Sequence, residues 1–282
     1  MTVLRTRMIE KLRLKNYSVR TEQAYVAAVA HFARHIGRSP DELGPDEIRQ
    51  WQLYLQNEKK ASWSYFNQAM SALRFFYREI LGRDELIPRL SYMRRERRLP
   101  VVPSISEVGA FLDAIDNPEY RMVLTVVYAC GLRLLEATRI EVRDIDSKRM
   151  LVHVRQGKGK KDRYVTLSPL LLEMLRSYWR QSRPKRLLFP APDDPNKPLN
   201  PTTLQKHCQK VCLRGGMKKR ITPRTLRHAF ATHLLEGGTN IRVVQTLLGH
   251  SSVHTTEIYT HVSDEAIRNV VSPLDRVPLL RR

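Results

Sequence analysis

A chain of 282 residues is long enough for two modest domains, each burying its own hydrophobic core. Lys and Arg number 49 against 28 Asp and Glu, a formal net charge of +21, and such an excess repels itself in a compact fold unless a polyanion absorbs it. With 19 basic against 11 acidic residues up to residue 100 and 30 against 17 beyond it, the charge is not a tail on a neutral enzyme, and both halves are suited to an extended run of phosphates.

Cys130, Cys208 and Cys212 are too few for a disulfide framework and lack zinc-finger spacing, so inert thiols in a reducing compartment are expected. There is no basic head followed by an apolar run, and no stretch of membrane-span length. A cytoplasmic protein with no membrane association follows as the expectation, with no metal and no cofactor.

The first ninety residues read as helices. Tyr25, Val26, Val29, Phe32 and Ile36 make one apolar stripe between Thr21 and Gly37, and Ile48, Trp51 and Leu55 repeat the period after the breaks at Ser39-Pro40 and Gly44-Pro45. A further helix is predicted from about Ser62 to Leu81, with Phe66, Leu73, Tyr77 and Ile80 on one side and Gly82 as its stop. The boundaries drawn are a helical domain at 1–92, an exposed linker at 93–103 and a second domain at 104–282. The linker has two prolines and no amphipathic period. Its Arg94, Arg95, Arg97 and Arg98 suit either solvent or a phosphate backbone. Ser104 and Glu107 have capping-box spacing, which opens the second domain with a helix at about residue 105. Helices again dominate except near Met150 to Leu167, where two β-favouring runs flank a Gly-rich turn and predict a hairpin. The fold class is therefore mainly α with a small antiparallel β-sheet.

Residues 222–262 pack three arginines, five histidines and Tyr259 into two helical segments and a turn. Arg224 and Arg227 are spaced i, i+3, close enough to grip one anion together. Leu226, Phe230, Leu234 and Leu235 are expected on the buried side of their helix, and His228 and His233 in its packing. A tyrosine that attacks a phosphodiester must lose a proton with a reference pKa of about 10, and nearby cations favour the phenolate. Preorganised guanidinium groups also stabilise the charge that builds on the non-bridging oxygens of the transition state. A lysine on a hairpin turn, such as Lys158, can protonate the leaving 5′ oxygen. Lys160, Lys161 and Arg163 read as a solvated or DNA-backbone-facing hairpin.

Three segments carry a resemblance: Ala129 to Glu136, Thr225 to His233, and Leu247-Leu248-Gly249-His250 through to Tyr259-Thr260-His261. With the Gly157-Lys158-Gly159 turn between the first and second, they resemble, in order, the active-site boxes of tyrosine recombinases, nearest the Xer, phage-integrase and integron-integrase branches. The resemblance spans nearly the whole chain. It implies a helical, SAM-like core-binding domain and a catalytic domain closing as a C-shaped clamp on duplex DNA carrying specific recombination sites. It further implies site-specific cleavage and rejoining through a 3′-phosphotyrosyl intermediate, without metal or ATP. Arg133 and Arg227 would clamp the phosphate, Lys158 would be the general acid, His250 a transition-state contact and Tyr259 the nucleophile, with Glu136 supporting the site through hydrogen bonds. Strand exchange implies a tetramer on DNA, and the tail residues Ile267, Val270, Val271 and Leu274, at near-helical spacing, are expected to dock on a neighbouring protomer. One position departs from the pattern: Arg224 stands where the second box has a histidine. Arginine keeps the charge but cannot accept a proton near neutrality, so slowed but real activity is expected. The alternatives are a catalytically impaired DNA-binding accessory protein and a type IB topoisomerase-like enzyme.

Overall fold

The computed structural model describes residues 2–94, 101–155, 162–249 and 270–276. The chain divides into two compact units, 1–99 and 100–282. In the first unit, α1 (Val3–Leu14), α2 (Val19–Ile36), α3 (Pro45–Leu53) and α4 (Trp63–Phe76) surround a core that includes Phe32, Trp51, Leu73 and Phe76. Helix ends fall where the local chemistry dictates. Ser18 and Ser62 accept backbone N–H bonds from Thr21 and Tyr65 at 3.2 and 3.3 Å, satisfying donors that a first turn leaves free. Glycine stops α2 at Gly37, and the predicted helix from Ser62 runs through a wider π turn at Tyr77–Leu81 before Gly82 ends it in the left-handed region. α1 contributes only Met8 and Leu12 to the core.

Both ends of the expected linker are fastened. Asn67 on α4 accepts from the Met93 N–H at 2.8 Å and donates to its carbonyl at 3.1 Å, while the Trp63 indole donates to the same carbonyl at 2.8 Å. On the far side Lys219 donates to the Val102 carbonyl, and Pro103 is buried with its carbonyl bonded by His233. The exposed linker read as 93–103 is therefore shorter at both ends. Arg94 is exposed; Arg95, Arg97 and Arg98 lie outside the described residues.

The second unit opens with α5 (Ile105–Asp113), where Ser104 and Glu107 form the expected capping box. Next comes α6 (Pro118–Cys130), buried without a break from Met122 to Cys130, the central helix of the unit. The short α7 (Leu134–Ala137) leads to β1 (Ile145–Asp146), β2 (Leu151–Val154) and β3 (Arg163–Thr166), antiparallel in that order. β2 and β3 are the predicted hairpin, with Val152 opposite Val165 and Val154 opposite Arg163. Beyond α8 (Pro169–Ser182), β4 (Pro190–Ala191) and β5 (Asp194–Pro198) pair as a second sheet; this segment, rich in Pro and Asp, has no alternating pattern to betray it. α9 (Pro201–Arg214), α10 (Pro223–Glu236) and α11 (Ile241–Leu248) follow. Among the described residues no helix is long and apolar enough to cross a membrane.

The tail departs from expectation. Val270 and Leu274 are buried in the core of their own unit, Leu274 fully, and the Ser272 hydroxyl donates to the Ala129 carbonyl at 3.0 Å. Val270 is in non-helical chain and Leu274 in a short 3₁₀ turn at Pro273–Arg276, with Pro273 unsuited to the interior of a continuous helix. Val270 and Leu274 are thus core residues of their own unit, whereas Val271 is exposed, and Ile267 lies outside the described residues.

Gly131, which ends α6 at φ 61°, is pinned twice over. A Cβ there would sit 2.3 Å from the Phe230 ring on α10. Gly131→Ala is expected to lower stability by about 2–4 kcal/mol, from the left-handed backbone and the overlap together. Urea denaturation checks this, and a loss below about 1 kcal/mol would contradict so tight a contact.

Candidate active site

The first box begins where α6 stops. Gly131 turns the chain, Leu132 is buried, and Arg133 takes the extended N-cap position of α7. One turn on, Glu136 reaches back, its carboxylate accepting from the Arg133 backbone N–H at 2.8 Å and from the Arg133 guanidinium at 2.7 Å. Arg163 of β3 meets the same carboxylate with both terminal nitrogens, at 3.1 and 2.8 Å. Arg227 of α10 lies 3.8 Å from it and donates to the Gly131 carbonyl at 2.7 Å.

The three arginines also converge on the end of α11. Arg163 Nε donates to the Leu247 carbonyl at 2.9 Å, Arg227 Nη2 to Leu248 at 2.6 Å and Arg133 Nη2 to Gly249 at 3.3 Å. Three successive carbonyls, left free by the end of the helix, are each met by a different guanidinium, as the negative end of a helix dipole favours. The backbone leading into His250 is thereby fixed.

Burial and charge follow from this arrangement. The Glu136 side chain is 7 % exposed, against 11 % for Arg163, 12 % for Arg227 and 28 % for Arg133. Burial alone would raise the Glu136 pKa, but hydrogen bonds and charge from Arg163, with the bonds from Arg133, outweigh it and hold the group at about 2. Burial, helped by the Arg133 charge and opposed by Glu136, lowers Arg227 to about 10. All three cations stay charged at neutral pH around one carboxylate, so the cluster retains positive charge for an anion.

Of the residues expected here, Arg133, Glu136 and Arg227 are brought together. Arg224 lies one turn before Arg227 on α10, exposed and without a hydrogen bond or ion pair among the described residues. The two arginines of the second box therefore differ: one is built into the protein and the other is open to solvent. Lys158, Lys160, Lys161, His250 and Tyr259 lie outside the described residues.

Three expectations need correction. Arg163 is not a solvated or DNA-facing hairpin residue, because its guanidinium turns inward onto Glu136. The signal was present in the strand period: Arg163 is in phase with the buried Val165 and Leu167, so it points to the protein side. Leu235 is 42 % exposed and His228 is exposed, whereas His233 is buried between the Tyr128 hydroxyl at 2.9 Å and the Pro103 carbonyl at 3.0 Å. On α10 that histidine, and not Leu235, is buried beside Pro223, Leu226, Ala229, Phe230 and Leu234. Cys130, Cys208 and Cys212 are buried, and burial pushes the Cys130 and Cys208 thiols up to about 12.

Comparison with known proteins points one way. The phage integrase family matches residues 105–266, and the phage integrase N-terminal SAM-like domain matches residues 4–85. An integrase/recombinase of Sinorhizobium fredii is 43% identical over 282 residues, covering 99% of this chain and 90% of that protein. The crystal structure of XerA recombinase aligns with 28% identity and a TM-score of 0.51 over 93% of this chain and 94% of the other. A lambda integrase dimer bound to a core site aligns with a TM-score of 0.73 at 17% identity, over 89% and 96% of the two chains, a likeness of fold.

A carboxyl whose pKa falls on folding stabilises the folded state above its unfolded pKa and loses that contribution as pH drops. For Glu136 the window runs from about 4.5 down to about 2, and the contribution at neutral pH is about 3 kcal/mol. Glu136→Gln should therefore be destabilised at pH 7, with the gap to the unaltered protein narrowing as pH falls below about 4.5. Urea midpoints of both proteins between pH 7 and 3.5 measure this. A gap independent of pH would mean that Glu136 is not held as a buried anion.

Proposed function

The chain belongs to the phage integrase family of tyrosine recombinases, and on that premise we propose how this site-specific DNA recombinase uses its residues. The observation that carries the reading is the cluster of Arg133, Arg163 and Arg227 around one carboxylate, positively charged in sum, at the point where the chain enters the segment holding His250 and Tyr259. The Tyr259 oxygen attacks a phosphorus of duplex DNA, the bond to the 5′ oxygen breaks, and that oxygen takes a proton from the Lys158 ammonium. Arg133, Arg227 and His250 hold the non-bridging oxygens as their charge grows, which lowers the barrier because the donors are already in place. The product is a 3′-phosphotyrosyl link and a free 5′ hydroxyl. Bond energy is conserved in the link, so a 5′ hydroxyl from a partner strand rejoins the backbone by the reverse steps without ATP.

Exchange between two duplexes takes four such cleavages, and a tetramer assembled on two sites is the corresponding assembly. Arg94, Arg95, Arg97, Arg98, Lys160 and Lys161 contribute phosphate contacts whose strength falls with salt. Arg224 supplies charge toward the phosphate but no base, so proton loss from Tyr259 rests on phenolate stabilisation by the surrounding cations or on His250.

Incubation with nicked duplexes that trap the cleaved state tests this reading. Covalent protein–DNA adducts are expected from the unaltered protein and none from Tyr259→Phe. Arg224→His is expected to speed adduct formation roughly tenfold or more by restoring a group that can exchange a proton at neutral pH. Adducts that persisted in Tyr259→Phe would remove the tyrosine from the mechanism.

A further inference from the structure

We propose that Arg163 is a positioning residue of strand cleavage, acting through Glu136 and the end of α11 to hold Arg133 and Arg227 in place for the phosphate, without touching DNA itself. The inference rests on the roles proposed above for Arg133 and Arg227, and no comparison assigns it.

Arg163 has five N–H donors, and three nitrogens are engaged inside the protein: Nε with the Leu247 carbonyl, Nη1 and Nη2 with the two oxygens of Glu136. Its side chain is 11 % exposed, so little of the guanidinium faces solvent. The strand holds its backbone, since Arg163 is paired with Val154 in the hairpin register.

The fork decides where the Glu136 carboxylate points. One Glu136 oxygen also accepts from the Arg133 guanidinium and the other from the Arg133 backbone N–H, so a fixed carboxylate fixes both the side chain and the main chain of Arg133. Arg227 waits at 3.8 Å from Glu136 and bonds carbonyls instead. With Arg163 removed, the carboxylate is released to pair with Arg227 and neutralise a cation meant for the phosphate. Arg163 thus shares the buried carboxylate with Arg133 and leaves the charge of Arg227 unspent.

A second contact points the same way. A Cβ on Gly249 would lie 3.0 Å from Arg163 Cδ and 3.2 Å from its Nε, and Gly249 has φ 59°. The residue before His250 is packed flat on the Arg163 side chain. Glu136, α11 and β3 are joined by this one group, and among the described residues the charged neighbours of Glu136 are Arg133, Arg163 and Arg227.

The test uses full-length Arg163→Lys and Arg163→Met on nicked and intact duplexes. Arg163→Lys keeps the charge and loses the fork, which preserves a soluble protein for comparison should the methionine variant fold poorly. Binding is measured first, as the dependence of affinity on salt. The expected slope equals that of the unaltered protein in both variants; a slope smaller by about 0.9 would reveal a lost phosphate contact and overturn the proposal. Adduct formation at saturating protein is measured second, and a fall of roughly tenfold or more is expected in both variants, since chemistry rather than binding is affected. An unchanged rate overturns the proposal. The third readout is pH. Loss of the Arg163 bonds raises the Glu136 pKa, so Arg163→Met should show an acid limb in its rate that is absent from the unaltered protein and abolished by adding Glu136→Gln; a profile identical to the unaltered protein's overturns the proposal. If the unaltered protein makes no adduct, the proposed function fails, and the salt slope still decides whether Arg163 meets DNA.

Discussion

The catalytic unit depends on how one carboxylate is shared. Bringing three guanidinium groups out of water costs several kcal/mol each unless acceptors replace the lost hydration. Glu136 takes Arg133 and Arg163 outright and stands near Arg227. The three carbonyls at the end of α11 take one donor from each arginine. Summed roughly, one carboxylate and about half a charge from each of the two helix C-termini oppose three cations, leaving an excess of about +1. A fully neutral cluster would be stable and inert toward phosphate. A less compensated one would be costly to bury. The observed balance lies between, and an anion completes it.

This design is unusual in its use of helix ends. Phosphates are commonly met at helix N-termini, where N–H groups and the dipole favour negative charge. Here α6 and α11 both present their C-termini, whose carbonyls would repel an anion. Arg227 reverses the local sign, because it bonds the Gly131 carbonyl at the end of α6 and the Leu248 carbonyl at the end of α11. The left-handed glycines at both ends follow from the same crowding: Gly131 lies against Phe230 and Gly249 against Arg163. Gly131 is packed by a side chain of the second box and Gly249 by Arg163 of β3, so these segments constrain one another through packing as well as charge.

Much of this was legible in the sequence, for local reasons. The capping box at Ser104 and Glu107, the stop at Gly82 and the hairpin from Met150 to Leu167 depend on residues close to one another, and the structure has all three. What the sequence concealed were choices made by tertiary contact. Val270 and Leu274 have the spacing of an outward amphipathic face, yet they fill their own core because Ser272 ties the segment to Ala129. Leu235, assigned to the buried side of α10 by apolar periodicity, is exposed, while His233 is packed as expected because Tyr128 and Pro103 offer partners for both ring nitrogens. Arg163 was masked by its type. A charge in a turn-rich basic segment reads as surface, and only its phase with Val165 and Leu167 indicates otherwise.

The same accounting separates the two arginines of α10. Arg227 is spent structurally in part: its donors hold two helix ends, and burial lowers its pKa to about 10 without bringing it near neutrality. Arg224 is exposed and has no acceptor among the described residues. A histidine in that place would have offered a proton acceptor, at the cost of a fixed charge. Arginine makes the opposite exchange: it keeps a fixed charge while giving up any part in moving a proton near neutrality. On the roles proposed above, the proton of Tyr259 then leaves through phenolate stabilisation by surrounding cations or through His250, and not through Arg224.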